Sequence, residues 1–394
     1  MAVYPSIQVN YDIWALRAEE FPVSHQTVYL NHAGISPLPR RAVLAMQEAN
    51  ERLMYNPSAA YGWFLEREQA MRANAARLIN AASPDEIVGV QSTSLGLNLV
   101  AQALPWHSGE NILLCDVEFP SNVYPWMRLV EQHGVEVRLI PARDGGLTVE
   151  ALAQAADSRT RLVAVSAVQF LSGHRSDLQA IGDFCHAHGL IFAVDAIQAA
   201  GHIPIDVQAM HIGILAAGGQ KSLMAPPGQG FLYVRSDLAE QMRPTLVGPN
   251  ATEDWIHWLK YDLTPLKGAA RFTMGTSNVS GIVGLNESLS LLLELGLANI
   301  DSYVTELVRR TRQQLLERGY AVLTPSAHAG ILTFRAAPDD ASTDRLVKAL
   351  AERNIVVVKH WDAHDVPYVR ASFHCYNIWE ESERLLAALE EIQL

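Results

Sequence analysis

Lys221 stands in AAGGQKSLMAPPGQGFLYV, positions 216–234, an ammonium among small and apolar residues in a chain with only 30 lysines and arginines. GQKS looks at first like a phosphate loop. That loop requires G-x-x-x-x-G-K-[ST], with glycine directly before the lysine. Gln220 intervenes here, and no glycine occupies the upstream position. A lysine in such surroundings either snorkels to water or is desolvated. Desolvation lowers its pKa and frees the amine to act as a nucleophile.

Other reactive groups end apolar runs in the same way. Asp195 closes LIFAV and precedes Ala196-Ile197-Gln198. A carboxylate there either caps a helix or pairs with a buried cation, because burying it alone is costly. Ser92-Thr93-Ser94 follows EIVGVQ and leads into a helical pattern. Such hydroxyls cap helices, and a helix start also favours a phosphate. Phe119 follows NILLCDV, as a core aromatic or as a cover for a flat ring, and Gln169 follows RLVAVSAV. Each alone says little. Together they match what pyridoxal 5′-phosphate (PLP) requires: an amine for an imine, a carboxylate for the pyridine nitrogen, hydroxyls for the phosphate and an aromatic against the ring.

The elements that must position these residues follow from the pattern of apolar runs. EIVGVQS, NILLCDV, VEVRLIPA, RLVAVSAV, LIFAVDA, GILAAGG and GFLYV alternate with helical stretches such as TSLGLNLVAQAL, SNVYPWMRLVEQHG and DLQAIGDFCHAHG. Runs unbroken by charge read as strands buried on both faces. Their alternation with helices predicts an α/β fold with a mostly parallel seven-stranded sheet, whose ligands sit beyond the strand C-termini. After about residue 280 the texture changes. Two long helices, over 282–300 and from 302, precede strands near 331–335, 355–359 and 368–372 and a last helix. This predicts a smaller α+β domain. The expected division is an N-terminal segment at 1–30 packing with the small domain, a large domain at 31–275 and the small domain at 276–394.

The 394 residues, 49% hydrophobic and 18% charged, have ordinary globular composition. Net charge is −12 and no basic patch is present, so neither nucleic acid nor an anionic membrane is an expected partner. The N-terminus lacks a basic n-region and an apolar h-region, and no run reaches spanning length. Cys115, Cys185 and Cys375 are far apart, which fits a reducing cytoplasm. Cys185, His186 and His188 end a helix and are expected at the surface.

At this point the order of residues resembles fold-type I PLP enzymes of the class V aminotransferase family, whose relatives include cysteine desulfurases, isopenicillin N epimerase and kynureninase. The resemblance runs from VYLNHAGISPLP (28–39) to VRASFHCYNIWEESERLLAALEEI (369–392), and VDAIQAAGHIPIDVQ followed by Lys221 is its most specific part. It implies that Lys221 forms the Schiff base and then moves the substrate's α-proton, and that Asp195 pairs with the pyridinium. It places Gln198 on the ring's phenolic oxygen, Thr93 and Ser94 on the phosphate and Phe119 over the ring. Gln169 matches a position that contacts the ring oxygen or the substrate. Arg370 matches the arginine that clamps the substrate carboxylate, a task suited to its bidentate geometry. Asn31 is a further substrate-binding candidate. RFTMGTSN (271–278) resembles a segment whose threonine, here Thr276, reaches the phosphate of a neighbouring subunit, which implies a homodimer.

The departures concern the reaction. Where desulfurases carry S-G-H-K, this chain has Gly218-Gly219-Gln220-Lys221, leaving Gln220 as a phosphate donor through its amide; Thr273 replaces a frequent glutamate. The loop before Arg370, VVKHWDAHDVPYVR, lacks the nucleophilic cysteine of desulfurases, and Cys375 lies beyond it. His360 and His364 have the spacing of a metal-binding pair on a helix. The Asp-Val-Pro that follows marks a loop instead, so His360 is a substrate contact and no metal is expected. The expected activity is that of a class V aminotransferase-like enzyme on an α-amino acid. Epimerisation or β-elimination at a C–S bond is the alternative, and cysteine desulfuration ranks lower. A non-catalytic PLP-fold protein ranks last, because Lys221, Asp195, Gln198 and Arg370 are all retained.

Overall fold

The computed structural model describes residues 7–254 and 256–392. Its strands are β1 (Val28–Tyr29), β2 (Ile87–Val90), β3 (Asn111–Cys115), β4 (Glu136–Ile140), β5 (Thr160–Ser166), β6 (Ile191–Asp195), β7 (Ile214–Gly218), β8 (Gly230–Val234), β9 (Ala321–Val322), β10 (Ile331–Arg335), β11 (Ile355–Val356), β12 (Val358–Trp361) and β13 (Pro367–Ser372). Each of the seven runs predicted as strands between 86 and 235 is one.

These seven form a single sheet in the order β2-β8-β7-β6-β5-β3-β4. Only β8 runs antiparallel to its neighbours, β2 and β7; the other pairings are parallel. Alternate side chains of each central strand feed opposite layers, as the pleat demands. Val163, Val165, Val194 and Leu215 join one apolar cluster. Leu162, Ala164, Ala193 and Ile214 join the other. Both faces are therefore covered, and the C-terminal ends of β2, β3, β5, β6 and β7 all open on one edge.

A four-stranded antiparallel sheet, β12-β13-β10-β9, forms the C-terminal part. β1 pairs in parallel with β11. A buried ion pair joins Arg17 to Glu381 at 3.0 Å, and the Tyr11 hydroxyl donates to the Cys375 carbonyl. The chain between 7 and 30 thus sits on the C-terminal part; residues 1–6 of the expected N-terminal segment lie outside the described residues.

Three local expectations need correction. The break between the two long helices, expected near 301, falls at 296: they are Val279–Leu295 and Leu297–Glu317. Gly296, at φ 79°, separates them in a conformation that only glycine adopts cheaply. The segment holding His360 is not a loop: β12 pairs with β13 and sets His360 opposite Tyr368, leaving only the turn at 362–366 irregular. Cys185 is buried rather than at the surface, because it lies on the inner face of the helix Leu178–Ala187; His186 and His188 are exposed. Among the described residues no single helix is long and apolar enough to cross a membrane. The bent pair separated by Gly296 passes only when its halves are taken together.

Candidate active site

β7 delivers Lys221 to the strand-end edge. Gly219 has no room for a Cβ, which would approach the Gln229 carbonyl at 2.5 Å and the Ala225 side chain at 2.8 Å. The small residues before the lysine are therefore a packing requirement of the β7–β8 turn. The Lys221 ammonium lies 5.2 Å from the centre of the Phe119 ring, within cation–π range. Burial pulls its pKa down to about 8; Asp195 opposes that shift and Arg370 adds to it. Phe119 is 37% exposed and covers the edge from the solvent side.

Asp195 ends β6 and is fully buried. One carboxylate oxygen accepts the Ile197 amide at 3.0 Å; the other has no partner among the described residues. Burial pushes its pKa up to about 7, Glu118 adds to the rise, and Lys221 opposes it. Gln198, buried nearby, donates to the Ala33 carbonyl at 3.0 Å, which leaves one amide proton for a ligand. Gln169 donates to Glu118 at 2.7 Å and keeps a buried oxygen without a partner.

Ser92, not Thr93 or Ser94, caps the helix Thr93–Ala103, accepting the Leu95 amide. The hydroxyls of Thr93 and Ser94 are thus not consumed by capping. Thr93 accepts the Gly218 amide at 2.8 Å, which ties this helix start to the end of β7. Ser94 shares a hydrogen bond with Ser121 at 2.7 Å. A Cβ on Gly218 would lie 2.9 Å from the Gln220 amide oxygen and 3.3 Å from the Thr93 hydroxyl, so both side chains reach one spot. That oxygen of Gln220 also has no partner.

Arg370 comes from β13 and is buried. One terminal nitrogen donates to the Phe170 carbonyl at 2.7 Å, and Nε has no partner. Burial lowers its pKa to about 10. No ion pair to Arg370 exists among the described residues, so a buried guanidinium faces the site without a carboxylate. His360 lies edge-on to Phe170 with ring centres 6.0 Å apart. Burial, Arg370 and Lys221 together push its imidazole down to about 4. Asn31 bridges Ser372, two residues beyond Arg370, and its buried side-chain oxygen is unpartnered.

Thr276 is not brought to Lys221 within one chain. It is exposed in a separate cleft with Gln91, Gln229, Thr273 and Ser277, beside β2 at the sheet margin. Two residues at the site escape the sequence reading. Glu118 is a buried carboxylate that accepts Ser166, Gln169 and Asn122. It stands beyond Asp116 and Val117 after β3 ends at Cys115, so the strand-end signal that marks Asp195 does not single it out. Phe170 follows Gln169, and nothing local marks it.

The unpartnered atoms of Asp195, Gln169, Gln220 and Arg370 form a buried polar set that the protein alone leaves unsatisfied. Buried polar groups are seldom left so. A protonated ring nitrogen for Asp195 and a carboxylate for Arg370 would satisfy these two groups, and the hydroxyls of Thr93 and Ser94 and the amide protons of Gln220 could donate to a phosphate, so the residues fit PLP and an amino acid.

Comparison with known proteins agrees. The family model described as aminotransferase class-V matches residues 28–385. A probable cysteine desulfurase of Methanothermobacter thermautotrophicus is 32% identical over 95% of this chain and 96% of its own. A cysteine desulfurase structure from Escherichia coli superposes with TM-score 0.87 at 26% identity, covering 96% of this chain and 98% of the other. The cystine C–S lyase C-DES does so with TM-score 0.86 at 26% identity, covering 95% and 100%; another structure of C-DES holds glycine covalently linked to its PLP cofactor. With the fold, the unpartnered polar set and these matches in agreement, the chain belongs to the class V aminotransferase family of PLP-dependent, fold-type I enzymes.

Proposed function

We propose that this enzyme binds an α-amino acid through Arg370 and removes its α-proton with Lys221, and that transamination is the outcome. The observation that carries this reading is the pairing of Lys221, depressed to about 8, with a buried guanidinium that has no carboxylate partner among the described residues. When bound, PLP supplies an electron sink for the charge left at Cα. Lys221 anchors it, Asp195 faces its ring nitrogen, Thr93, Ser94 and Gln220 take its phosphate, and Gln198 and Gln169 flank the ring. Arg370 fixes the substrate carboxylate by charge-assisted hydrogen bonds, with Asn31 and His360 as further substrate contacts. Phe119 shields the reacting edge from water. With the substrate nitrogen in its place on the cofactor, the freed Lys221 amine would accept the α-proton and deliver it to the cofactor carbon rather than back to Cα, as transamination requires.

The relatives' name, cysteine desulfurase, describes a chemistry that needs an accessible thiol near the substrate. On this chain the β12–β13 hairpin has none, and burial drives the Cys375 thiol far above its ordinary value. Cys375 is a packing residue in this reading. Elimination at a C–S bond is the second reading. The likeness to a cystine C–S lyase favours it, because sulfur leaving Cβ would pass to solvent rather than to the protein.

Product analysis after an amino-acid screen separates these outcomes. A keto acid with pyridoxamine phosphate supports transamination. Pyruvate with a released thiol or sulfide supports elimination, and inversion with solvent deuterium at Cα supports epimerisation. Either of the last two results removes the transaminase reading.

We further propose a homodimer in which Thr276 of one subunit reaches the phosphate held by its partner. Its exposure away from Lys221 in one chain supports this, as do exposed apolar side chains such as Met54, Tyr55, Leu259 and Leu263. Sedimentation showing a stable monomer that binds PLP tightly would remove this proposal. The unpaired, buried cysteines suit a reducing cytoplasm.

A further inference from the structure

Phe170 joins the carboxylate clamp to the aromatic side of the site. Its carbonyl accepts from Arg370 at 2.7 Å. Its half-buried ring meets Phe119 edge-on at 5.2 Å and His360 edge-on at 6.0 Å. Phe119 in turn lies 5.2 Å from the Lys221 ammonium. An amino acid held by its carboxylate on Arg370 and by its nitrogen near Lys221 would lie beside these three rings.

We propose that Phe170 is a specificity-determining residue and that the substrate is an α-amino acid with an uncharged, apolar side chain, whether aliphatic, thioether or aromatic. This rests on the reading above that the site takes an α-amino acid.

The charges around the rings point the same way. A cationic side chain would meet the buried Arg370 guanidinium. The nearby carboxylates cannot receive it: Glu118 is buried with both oxygens occupied, and Asp195 is buried at the end of β6. An anionic side chain would need a second cation, because the α-carboxylate takes Arg370 and Lys221 is committed to the cofactor and the α-proton. His360 does not supply one, since burial and the two cations keep its imidazole neutral. An apolar side chain instead buries its surface against Phe119 and Phe170. A thioether also gains contact with the ring edges.

PLP-loaded enzyme titrated with leucine, methionine, alanine, aspartate and lysine, followed by absorbance, tests this. Leucine and methionine should half-saturate at concentrations at least about tenfold below aspartate and lysine. Phe170→Ala should reduce the preference for leucine over alanine by about tenfold, and Phe170→Leu should restore most of it. Aspartate or lysine binding as tightly as leucine overturns the proposal. So does an equal loss for alanine and leucine in Phe170→Ala, which would leave Phe170 only its backbone role. If Phe170→Ala does not fold, the wild-type series and Phe170→Leu decide. A loaded enzyme whose spectrum answers no amino acid overturns the functional reading and this inference together. A response led by charged amino acids overturns this inference alone.

Discussion

Lys221 and Asp195 are each pushed by burial towards the neutral state, and each resists that push in the other. The balance gives Lys221 a testable pH dependence. Its amine captures PLP only when unprotonated, and its pKa is lowered to about 8. The rate at which apoprotein captures PLP should rise from pH 6 to about 8 and then level off; a rate still climbing steeply above pH 9 would contradict the shift. Asp195→Asn removes the charge proposed to face the ring nitrogen and should weaken PLP binding by about 10–100-fold, the range of a charged hydrogen bond. Arg370→Ala should weaken amino-acid binding by a similar factor, while the matching amino-acid amides, which lack the carboxylate, lose much less. An equal loss for acid and amide would remove Arg370 from its assigned role. Lys221 and Asp195 were legible because a charge at the end of an apolar run has few inexpensive explanations. Glu118 is less legible, because Asp116 and Val117 separate it from the end of β3. Phe170 could not be found this way, since the Arg370 it holds is remote in sequence and only the fold joins them.

The elements that carry these residues were legible to different degrees. Strands β3, β7 and β8 of the large sheet are buried on both faces, so they appear as uninterrupted apolar runs; β4, at its margin, is only partly buried and carries Glu136 and Arg138. Short amphipathic strands do not. β12 reads VKHW, half-buried and polar; its first two residues fall within the strand expected near 355–359, and the turn at 362–366 gives only His360 and Trp361 the look of a loop. Helix–helix breaks are equally local, and Gly296 inside an apolar stretch gave no periodic signal. The VDAIQAAGHIPID stretch has a role that spacing alone does not reveal. Gly201 packs directly against the Ser222 carbonyl, with no space for a Cβ. That same carbonyl is 2.8 Å from His374 Nε2. Gly201→Ala must therefore displace the backbone next to Lys221. It should lower the melting temperature and weaken PLP retention even though Gly201 touches no ligand. A variant with unchanged melting and PLP affinity would show that the loop yields freely.

At the scale of the whole molecule, the chain gathers His32, His202 and His374 into one buried cluster. The His374 ring lies 5.3 Å from that of His32 and 5.6 Å from that of His202. Neither ring nitrogen of His202 has a partner among the described residues. Burial lowers all three pKa values, that of His374 to about 4. A histidine lowered in the folded state contributes stability above its unfolded pKa of about 6.5 and loses it as pH falls below that value. The loss is about 1.4 kcal/mol per pH unit for each such group. Asp195 and Glu118, raised in the folded state, act in the opposite direction in apoprotein, so the useful comparison holds them constant. His202→Leu should show a shallower decline in melting temperature between pH 6.5 and 4.5 than wild type; an identical decline would exclude His202. No spacing rule links three histidines so far apart, whereas the family and its cofactor were legible because their residues keep a fixed order along the chain. That cofactor assignment is the central claim, and the absorbance of purified protein supplied with PLP tests it most directly. Wild type should show a visible band from lysine-bound cofactor that changes on adding an amino acid and disappears in Lys221→Ala. Wild type that takes up no PLP, or a band that survives unchanged in Lys221→Ala, would contradict the account.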